Sequence, residues 1–371
     1  MRYIFFCLVL FISSVTNAQK YFLFIGTYTG SGSKGIYVYQ FDAATGKATW
    51  VSNTDSVVNP SYLAIAPGGS LLYACTETRT VNAGGVSAFR FNRNKGTLSL
   101  INKQSTGGDN PAYVAVHPTG KWVTAGNYSG GSLAAFPVAK DGSLQSYSQL
   151  IGHTGSSVNK ARQEQAHVHA TVFSPKGDYL FTPDLGIDKL MIYKFNGLAK
   201  KPVQPASPAF AQTIPGSGPR HFDFHPNGKW GYLIEEMTGT VVAYNYKGGR
   251  LTQKQRIATH PDTATSEFGS ADIHVSPDGN FLYASNRGTE NNLAIFKIDK
   301  ISGKLTTAGY QSTLGIRPRN FCIDPTGNYL LAANQQTGNI VIFKRDRKTG
   351  LLTPTGEQIM IPEPVCLKMI K

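Results

Sequence analysis

The chain has 371 residues, of which 41% are hydrophobic and 16% charged, a composition that excludes an intrinsically disordered protein. Its 39 glycines, 20 prolines, 18 tyrosines and 20 phenylalanines favour short strands and tight turns over a helix bundle. Basic residues exceed acidic ones by 14 (36 − 22), which favours an anionic partner, but no dense Lys/Arg run predicts a nucleic-acid interface.

The first 18 residues have the pattern of a secretory signal peptide. Arg2 supplies a positive charge, Ile4 to Ile12 is apolar, and Thr16 and Ala18 are placed for cleavage after Ala18. This apolar run is too short to span a bilayer, and no later run is long enough, so no stable membrane insertion is expected. The sequence predicts an exported protein, periplasmic or secreted, whose residues 19–371 form a single domain.

One sequence pattern then recurs six times along the chain: an apolar strand, a Pro-x-Gly turn and a second apolar strand. The turns begin at Pro67, Pro118, Pro175, Pro226, Pro277 and Pro325. The intervals between them are 51, 57, 51, 51 and 48 residues, and each pair of strands is followed by a third strand pattern and a short fourth. A period of this length with four strands per repeat is typical of propeller blades.

The two ends of the chain supply complementary halves of a seventh repeat. Tyr21 to Gly26 resembles a second strand without a first, and Pro364 to Ile370 resembles a first strand without a second. Pairing these segments closes the ring and leaves no open sheet edge. The sequence therefore predicts an all-β fold, a seven-bladed β-propeller of four-stranded blades closed by its terminal strands; two stacked all-β domains are the alternative.

The register of the repeats predicts a polar rim at one end of the central channel, opposite the Pro-x-Gly hairpins. Each first strand begins at this rim and each second strand ends there, whereas positions nearer the turn are mostly apolar. The candidate site residues at the rim are His167, His169, Arg220, His221, Glu235, Glu236, Asn286, Arg287 and Arg319. So many ionisable groups at one cavity mouth favour a ligand site. Mutual pairing that only satisfies channel polarity is the alternative.

The spacing of His167 and His169 would place both imidazoles on one side of a strand, an arrangement compatible with a divalent metal. Arg220, Arg287 and Arg319 are predicted to share the site, and their charges would repel a cation. No metal and no other cofactor are therefore expected.

The interval before Pro175 exceeds the common one by six residues. The additional residues fall within 152–165, directly before His167, so this segment is predicted to cover the rim as a lid and to contribute Arg162. A second loop, residues 259–270, enters the same rim.

Five segments, in order, resemble the lactonase family of seven-bladed propellers, which includes a bacterial 6-phosphogluconolactonase and the fungal carboxy-cis,cis-muconate cyclase. They are Gly26-Thr27-Tyr28-Thr29, Arg162-Gln163 with His167-x-His169, Gly218-Pro219-Arg220-His221, Phe281 to Gly288, and Arg317-Pro318-Arg319. The resemblance covers residues 20–371. It implies a catalytic set of His169, Arg220, Glu236 and Arg287, in which a slip of one residue would exchange Glu236 for Glu235.

The chemistry of these residues agrees with the hydrolysis of an acidic lactone. His169 or Glu236 is a candidate base for water, Arg220 a candidate donor to the oxyanion, and Arg287 with Arg319 a candidate clamp for an anionic substrate group. The further substrate-binding candidates are His167, His221, Arg162, Asn286 and Glu235. No Gly-x-Ser-x-Gly elbow is present, which disfavours a covalent serine mechanism.

Two other functions stay open at this point. A cyclase of the carboxymuconate type would use the same residues in the opposite direction, and a non-catalytic propeller would use the arginines to bind an anionic glycan or partner. Predicted export also separates the chain from the cytoplasmic phosphorylated lactone of the pentose phosphate route, so the identity of the small anionic lactone stays open.

Overall fold

The computed structural model describes residues 19–78, 80–81, 83–264 and 268–371; the predicted signal peptide lies outside these ranges. The described residues form 28 strands in seven antiparallel sheets of four strands, and successive sheets contact one another around a ring. The predicted seven-bladed propeller is thus confirmed. Within the described ranges, no helix is long and apolar enough to cross a bilayer.

The blades follow the chain in order. Blade 1 contains β1 (Lys20–Thr27), β2 (Ile36–Asp42) and β3 (Lys47–Thr54); blade 2 contains β4 (Leu63–Ile65), β5 (Leu71–Thr76), β6 (Gly85–Asn92) and β7 (Thr97–Ser105). Blade 3 contains β8 (Pro111–Val116), β9 (Trp122–Asn127), β10 (Ser132–Pro137) and β11 (Gln149–Gly152); blade 4 contains β12 (Val172–Phe173), β13 (Tyr179–Asp184), β14 (Lys189–Phe195) and β15 (Val203–Gln212).

Blade 5 contains β16 (Pro219–Phe224), β17 (Trp230–Glu235), β18 (Thr240–Lys247) and β19 (Arg250–Ala258); blade 6 contains β20 (Ser270–Val275), β21 (Phe281–Asn286), β22 (Asn292–Ile298) and β23 (Leu305–Ser312). Blade 7 contains β24 (Pro318–Ile323), β25 (Tyr329–Asn334), β26 (Asn339–Arg345) and β27 (Leu352–Met360). The last strand, β28 (Pro364–Ile370), returns to blade 1 as its innermost strand.

The ring closes as the complementary chain ends predicted. Strand β28 pairs antiparallel with β1, with Leu23 opposite Met369 and Ile25 opposite Leu367. Side chains of β28 are almost completely buried at Val365, Cys366 and Leu367. The closing strand therefore contributes both ladder hydrogen bonds and apolar packing to the ring.

The hydrophobic core consists of layers between neighbouring blades, because alternate side chains of each strand face opposite sides of their sheet. In β17, Tyr232 packs with blade 6 and the adjacent Leu233 packs with blade 4. Both side chains are completely buried. Every blade is thereby fixed against two neighbours, and the channel ends that these layers surround are held in place.

The Pro-x-Gly turns define the rim opposite the candidate site. The third-position glycines have φ between +66° and +76°, a region that glycine adopts without strain. Two histidines that precede these prolines bind the next hairpin: Nε2 of His117 lies 3.0 Å from the carbonyl oxygen of Gly177, and Nε2 of His225 lies 2.9 Å from that of Gly279. These two histidines join adjacent blades and lie at the hairpin rim.

Bulges interrupt the innermost strands close to the predicted polar rim. The pairing of β8, β16 and β24 with their neighbours skips one residue, which is Ala112, Arg220 and Arg319, respectively. A bulge removes a residue from the ladder and redirects its side chain. In blade 4 the innermost strand is reduced to Val172–Phe173, so His167 and His169 lie on irregular backbone and not on the strand that their spacing predicted.

Candidate active site

A cavity of about 940 Å³ opens at the rim opposite the hairpins. Its charged lining residues are Glu77, Arg162, Glu236, Arg287, Arg317, Arg319 and Glu363, and His169 lies among them. Four arginines therefore face three glutamates, and the buried Arg220 lies directly beneath them. The excess of positive charge favours an anionic ligand.

Glu236 is the centre of the cationic cluster. Its Oε1 accepts a hydrogen bond from Arg162 at 2.7 Å, and its Oε2 accepts one from Nε of Arg220 at 2.9 Å. Nη2 of Arg287 lies 3.0 Å from the same Oε2 atom. Burial alone would raise the pKa of Glu236, but the three arginines outweigh burial and hold this pKa well below its usual range. The carboxylate therefore stays ionised and fixes three arginines at one point.

Arg220 lies beneath the cavity and is 1% exposed. Its Nε binds Glu236, and its Nη1 donates to the carbonyl oxygen of Ala271 at 2.6 Å and lies 3.2 Å from Nε2 of His221. Burial and the nearby Arg287 lower the pKa of Arg220, whereas Glu236 opposes them, and guanidinium is basic enough to stay charged. Within the described residues its Nη2 donates no hydrogen bond.

His169 lies at the floor of the cavity and is 5% exposed. Its Nδ1 atom is buried and has no hydrogen-bond partner among the described residues. Burial lowers the pKa of His169 well below its usual value, and the charges of Arg220 and Arg319 and the nearby His221 lower it further. The imidazole is therefore neutral at pH 7, so one of its ring nitrogens carries a lone pair.

A second cavity, of about 10 Å³, lies below the first and is lined by His169, Arg220, His221 and Arg319. This volume is about what one water molecule needs, and the site is polar. The residues skipped at the bulges of blades 3, 5 and 7 all contribute to its wall. The geometry thus brings both His169 and Arg220 to the wall of a space for one small molecule.

Arg319 is held on the other side of the cavity by two residues from blades 1 and 2. Its guanidinium lies 5.4 Å from the ring centroid of Tyr28, and its Nη2 lies 3.7 Å from Oε2 of Glu77. The hydroxyl of Tyr28 donates to Oε1 of the same glutamate at 2.9 Å. Burial alone would lower the pKa of Arg319, but Tyr28 and Glu77 raise it, so this arginine is a permanent cation.

Arg220 and His221 line only the smaller cavity, and three of the predicted site residues line neither cavity. Glu235 forms an ion pair with Arg256, and Asn286 accepts hydrogen bonds from Thr259 and Ser270. Both side chains connect strands of their own blade. The bulge at Arg220 explains the placement of the two glutamates, because Pro219 pairs with Glu235 in the ladder and leaves Glu236 beyond the strand end.

His167 also lies outside the cavity lining, although it is close to it. Its ring stacks on Tyr128 at 4.5 Å between centroids, and its Nε2 lies 3.2 Å from Glu164. Its Nδ1 contacts the backbone carbonyl of Tyr128 at 3.0 Å. Among the described residues, no group of three His, Cys, Asp or Glu side chains could hold a metal ion.

The segment of residues 152–165 reaches the cavity through Arg162. Besides Glu236, this arginine donates to the hydroxyl of Tyr128 at 3.3 Å. The amide of Gln163 donates to the carbonyl of Leu185 at 2.8 Å, and the hydroxyl of Ser157 donates to Asp188 at 2.6 Å. The longer second interval between turn prolines thus brings a cationic side chain to the site. In the second loop, Phe268 and Gly269 line the cavity, while residues 265–267 lie outside the described ranges.

Tyr28, Glu77 and Tyr128 line the cavity but are absent from the site predicted by sequence. The signal that could have identified Glu77 and Tyr128 was their position ten residues after the proline of their repeats, the same register as Glu236 and Arg287. Tyr28 belongs to the incomplete N-terminal repeat, which has no proline from which to count.

His274, deeper in the channel, allows a test of these electrostatics. Burial would lower its pKa, but Asp272 and Asp223 outweigh burial and raise it to about 9. Because the folded-state pKa exceeds the unfolded value, this stabilisation is complete below pH 6.5 and is lost as pH rises through 9. We expect the difference in free energy of unfolding between wild type and His274→Gln to shrink by on the order of 2 kcal/mol between pH 6 and 10. Denaturant titrations measure it, and a difference independent of pH would contradict the assignment.

The comparisons with known proteins agree with this geometry. The model of the family "Lactonase, 7-bladed beta-propeller" matches residues 22–369. A 6-phosphogluconolactonase of Formosa agariphila is 40% identical over 94% of this chain and 99% of its own length, and one of Bacillus subtilis is 37% identical over 95% and 99%.

Solved structures show the same likeness. The periplasmic gluconolactonase of Pseudomonas aeruginosa aligns with a TM-score of 0.90 and 36% identity, covering 95% of this chain and 99% of that one. A structure from Bacteroides fragilis aligns with a TM-score of 0.91 and 43% identity over 96% and 99% of the two chains. The match over nearly the whole ring establishes that the chain belongs to the lactonase family of seven-bladed β-propellers.

Proposed function

We propose that the protein is a metal-independent lactone hydrolase that opens an acidic, sugar-type lactone in the 940 Å³ cavity. The observation that carries the proposal is the placement of a neutral His169 and a cationic Arg220 around a space for one water, beneath a mouth lined by arginines. The relatives named as 6-phosphogluconolactonases and a gluconolactonase support the reaction class.

In the proposed mechanism, His169 removes a proton from water as its oxygen attacks the lactone carbonyl carbon. Nη2 of Arg220 donates to the carbonyl oxygen, where negative charge develops. When the tetrahedral intermediate collapses, the ring C–O bond breaks and His169 returns its proton to the departing oxygen. One water is consumed, one hydroxyl and one carboxyl group form, and the carboxyl proton passes to solvent.

Between the two candidate bases, the contacts favour His169, whose Nδ1 has no hydrogen-bond partner among the described residues. Both carboxylate oxygens of Glu236 are bound by arginines, which also hold its pKa well below its usual range, so this carboxylate is not free to take a proton from water. We assign Glu236 to holding Arg162, Arg220 and Arg287 in place. An anionic substrate would offset the cations that depress the pKa of His169, so the imidazole becomes a stronger base when the site is occupied.

The experiment is proton release by the mature chain, residues 19–371, with 6-phosphogluconolactone, gluconolactone and a simple neutral lactone, each corrected for spontaneous hydrolysis. We expect acceleration that is greatest for the anionic lactone and unchanged by a chelator. No acceleration with any lactone would contradict hydrolysis and favour the cyclase or binding alternatives, for which carboxymuconate consumption and anion binding are the assays. Activity lost to the chelator and restored by a divalent ion would contradict the metal-independent mechanism.

Arg287→Lys is expected to weaken the binding of acidic lactones. Arg287 donates Nε–H to the carbonyl of Gly269 at 2.7 Å while its Nη2 binds Glu236. A lysine keeps the positive charge but cannot make both of these interactions at once. We expect KM for the anionic lactone to rise about tenfold, with a smaller change for a neutral lactone. Arg347→Lys, at an exposed arginine near the opposite rim, is the matched control. An equal effect on both lactones would exclude Arg287 from anion binding.

We further propose that the chain is exported and processed after Ala18. The apolar run of residues 4–12 supports the proposal, and the Pseudomonas aeruginosa relative is itself named as periplasmic. Cell fractionation and N-terminal sequencing test it, with Gln19 as the expected first residue. An unprocessed cytoplasmic chain would contradict it.

A further inference from the structure

A buried chain of ionisable side chains continues from Arg220 along the channel. Nδ1 of His221 lies 2.8 Å from Oδ1 of Asp272, while Nε2 of His221 faces Nη1 of Arg220 at 3.2 Å. Oδ2 of Asp272 lies 3.0 Å from Nε2 of His274, and Nδ1 of His274 lies 3.8 Å from Asp223. The exposed fraction of the side chain is 1% at Asp272 and 33% at Asp223, so this network begins at the active-site floor and ends near solvent.

The partners of His221 determine its protonation state. A carboxylate only accepts hydrogen bonds, so the Nδ1 atom that faces Asp272 carries a proton. A guanidinium only donates, so the Nε2 atom that faces Arg220 must offer its lone pair. His221 is consistent with this arrangement only as the neutral Nδ1–H tautomer. Burial and the Arg220 charge also lower the pKa of His221, to about 3.

Asp272 is fixed more firmly than a single ion pair would allow. Its Oδ2 accepts hydrogen bonds from the side-chain amide of Asn320 and from the backbone N–H of Phe321 at 3.2 Å, in addition to its contact with His274. The backbone N–H of Asp272 donates to the hydroxyl of Ser285 at 3.0 Å. The carboxylate that sets the tautomer of His221 is therefore held by the strands of two blades.

The remaining described neighbours of His221 make ring contacts with it, and none of them forms a hydrogen bond with its ring nitrogens. The ring of His169 lies 5.2 Å away between centroids, and the rings of Tyr113 and Tyr62 lie 5.3 and 5.7 Å away, all approximately edge to face. Lys368 contacts the hydroxyl of Tyr62 at 3.3 Å. No other carboxylate in the described part of the chain is paired with His221, so Asp272 alone selects the tautomer.

We propose that Asp272 is a positioning residue for Arg220: by fixing His221 as the Nδ1–H tautomer, it provides the acceptor that holds the guanidinium in the direction needed to stabilise the oxyanion. Without this acceptor, the guanidinium of Arg220 keeps its Nε bond to Glu236 and its Nη1 bond to the carbonyl of Ala271, and an Nε2–H of His221 in place of the lone pair would push Nη1 out of its present position. The proposal rests on the role of Arg220 in lactone hydrolysis proposed above.

Asp272→Asn tests the proposal, because an amide can donate to Nδ1 and so select the opposite tautomer, whose Nε2–H opposes Arg220. We expect ¹⁵N NMR of histidine-labelled protein to show a neutral Nδ1–H His221 in the wild type and its loss in the variant. We expect kcat to fall about 10- to 100-fold with little change in KM, as for a misplaced catalytic group. A wild-type His221 that is protonated, or neutral with the proton on Nε2, would overturn the proposal, as would a variant with the wild-type tautomer and full kcat.

Asp223→Asn is the matched control, since Asp223 belongs to the same network but contacts His274 and not His221. We expect an unchanged His221 tautomer and a kcat within about threefold of wild type. A loss of kcat equal to that of Asp272→Asn would overturn the proposal in favour of a general electrostatic effect. If Asp272→Asn does not fold, His221→Phe removes the same acceptor and is expected to show the same loss of kcat; full activity there would overturn the proposal. The NMR measurement needs no turnover, so its failure is distinguishable from the absence of lactonase activity.

Discussion

His169→Ala is expected to lower kcat for lactone hydrolysis by about 100- to 10,000-fold, the usual contribution of a positioned general base. The fold should be preserved, because neither ring nitrogen of His169 is part of a described hydrogen bond that supports a strand. Steady-state kinetics with the lactone accelerated most by the wild type measure the loss. The acid limb of kcat/KM in the wild type is expected below pH 6.5, since the surroundings of His169 lower its pKa.

His117→Gln is the control for the loss of a histidine, because His117 contacts the hairpin of the next blade at the opposite rim. Its melting temperature is expected to fall while the kcat of the folded protein stays within about threefold of wild type. If His169→Ala keeps full turnover, the assignment of the base is wrong.

Deletion of residues 364–371 is expected to abolish cooperative folding. The deletion removes β28, exposes one edge of β1 and uncovers the apolar residues of blades 2 and 7 that β28 contacts. Three almost completely buried side chains, Val365, Cys366 and Leu367, disappear with it. Their burial together with the lost ladder is comparable to the roughly 5–15 kcal/mol by which domains are usually stable. Circular dichroism and thermal melting should show no sharp transition.

Two smaller changes in the same segment are expected to have smaller effects on stability. Leu367→Ala keeps the strand and is expected to cost about 2–5 kcal/mol by leaving a cavity. Deletion of Lys371 alone, an exposed residue beyond the end of β28, is expected to change the free energy of unfolding by less than about 0.5 kcal/mol. A cooperative transition near the wild-type temperature after removal of all eight residues would show that the ring does not depend on closure by its ends.

The blades were predictable because each repeat contains the same local sequence motif, a Pro-x-Gly turn between two apolar strands. A proline followed by a glycine at positive φ reverses the chain, and an apolar strand on each side can be buried only between neighbouring blades. Counting from these prolines also placed His169, Glu236, Arg287 and Arg319 at one rim. Register alone could not decide between Glu235 and Glu236, because the bulge at Arg220 shifts the pairing by one residue and no sequence signal marks it.

The partners of individual side chains were also beyond sequence reasoning. His167 and His169 have the same spacing that a regular strand would give, yet blade 4 is irregular there and the two rings meet different neighbours. Asn286 lies nine residues after its turn proline, a position predicted to face the rim. Its side-chain oxygen instead accepts hydrogen bonds from Thr259, in the preceding loop, and Ser270, in the adjacent strand. Such outcomes depend on contacts between residues distant in sequence, which the repeat period does not specify.

The bulges in the inner strands allow residues that face the site to change without a change in the strands that form the ring. One residue per blade occupies the axial position six before the turn proline or its equivalent, and these residues are Ser61, Ala112, His169, Arg220, Ala271, Arg319 and Val365. At a bulge, the residue takes no part in the ladder, so its replacement leaves the strand register intact. Four of the seven positions carry small or apolar side chains, and the other three carry the neutral His169 and the cations Arg220 and Arg319. A lactonase ring of this kind can therefore acquire a new substrate preference one blade at a time, for example through a carboxylate at Ala112 that would favour cationic lactones.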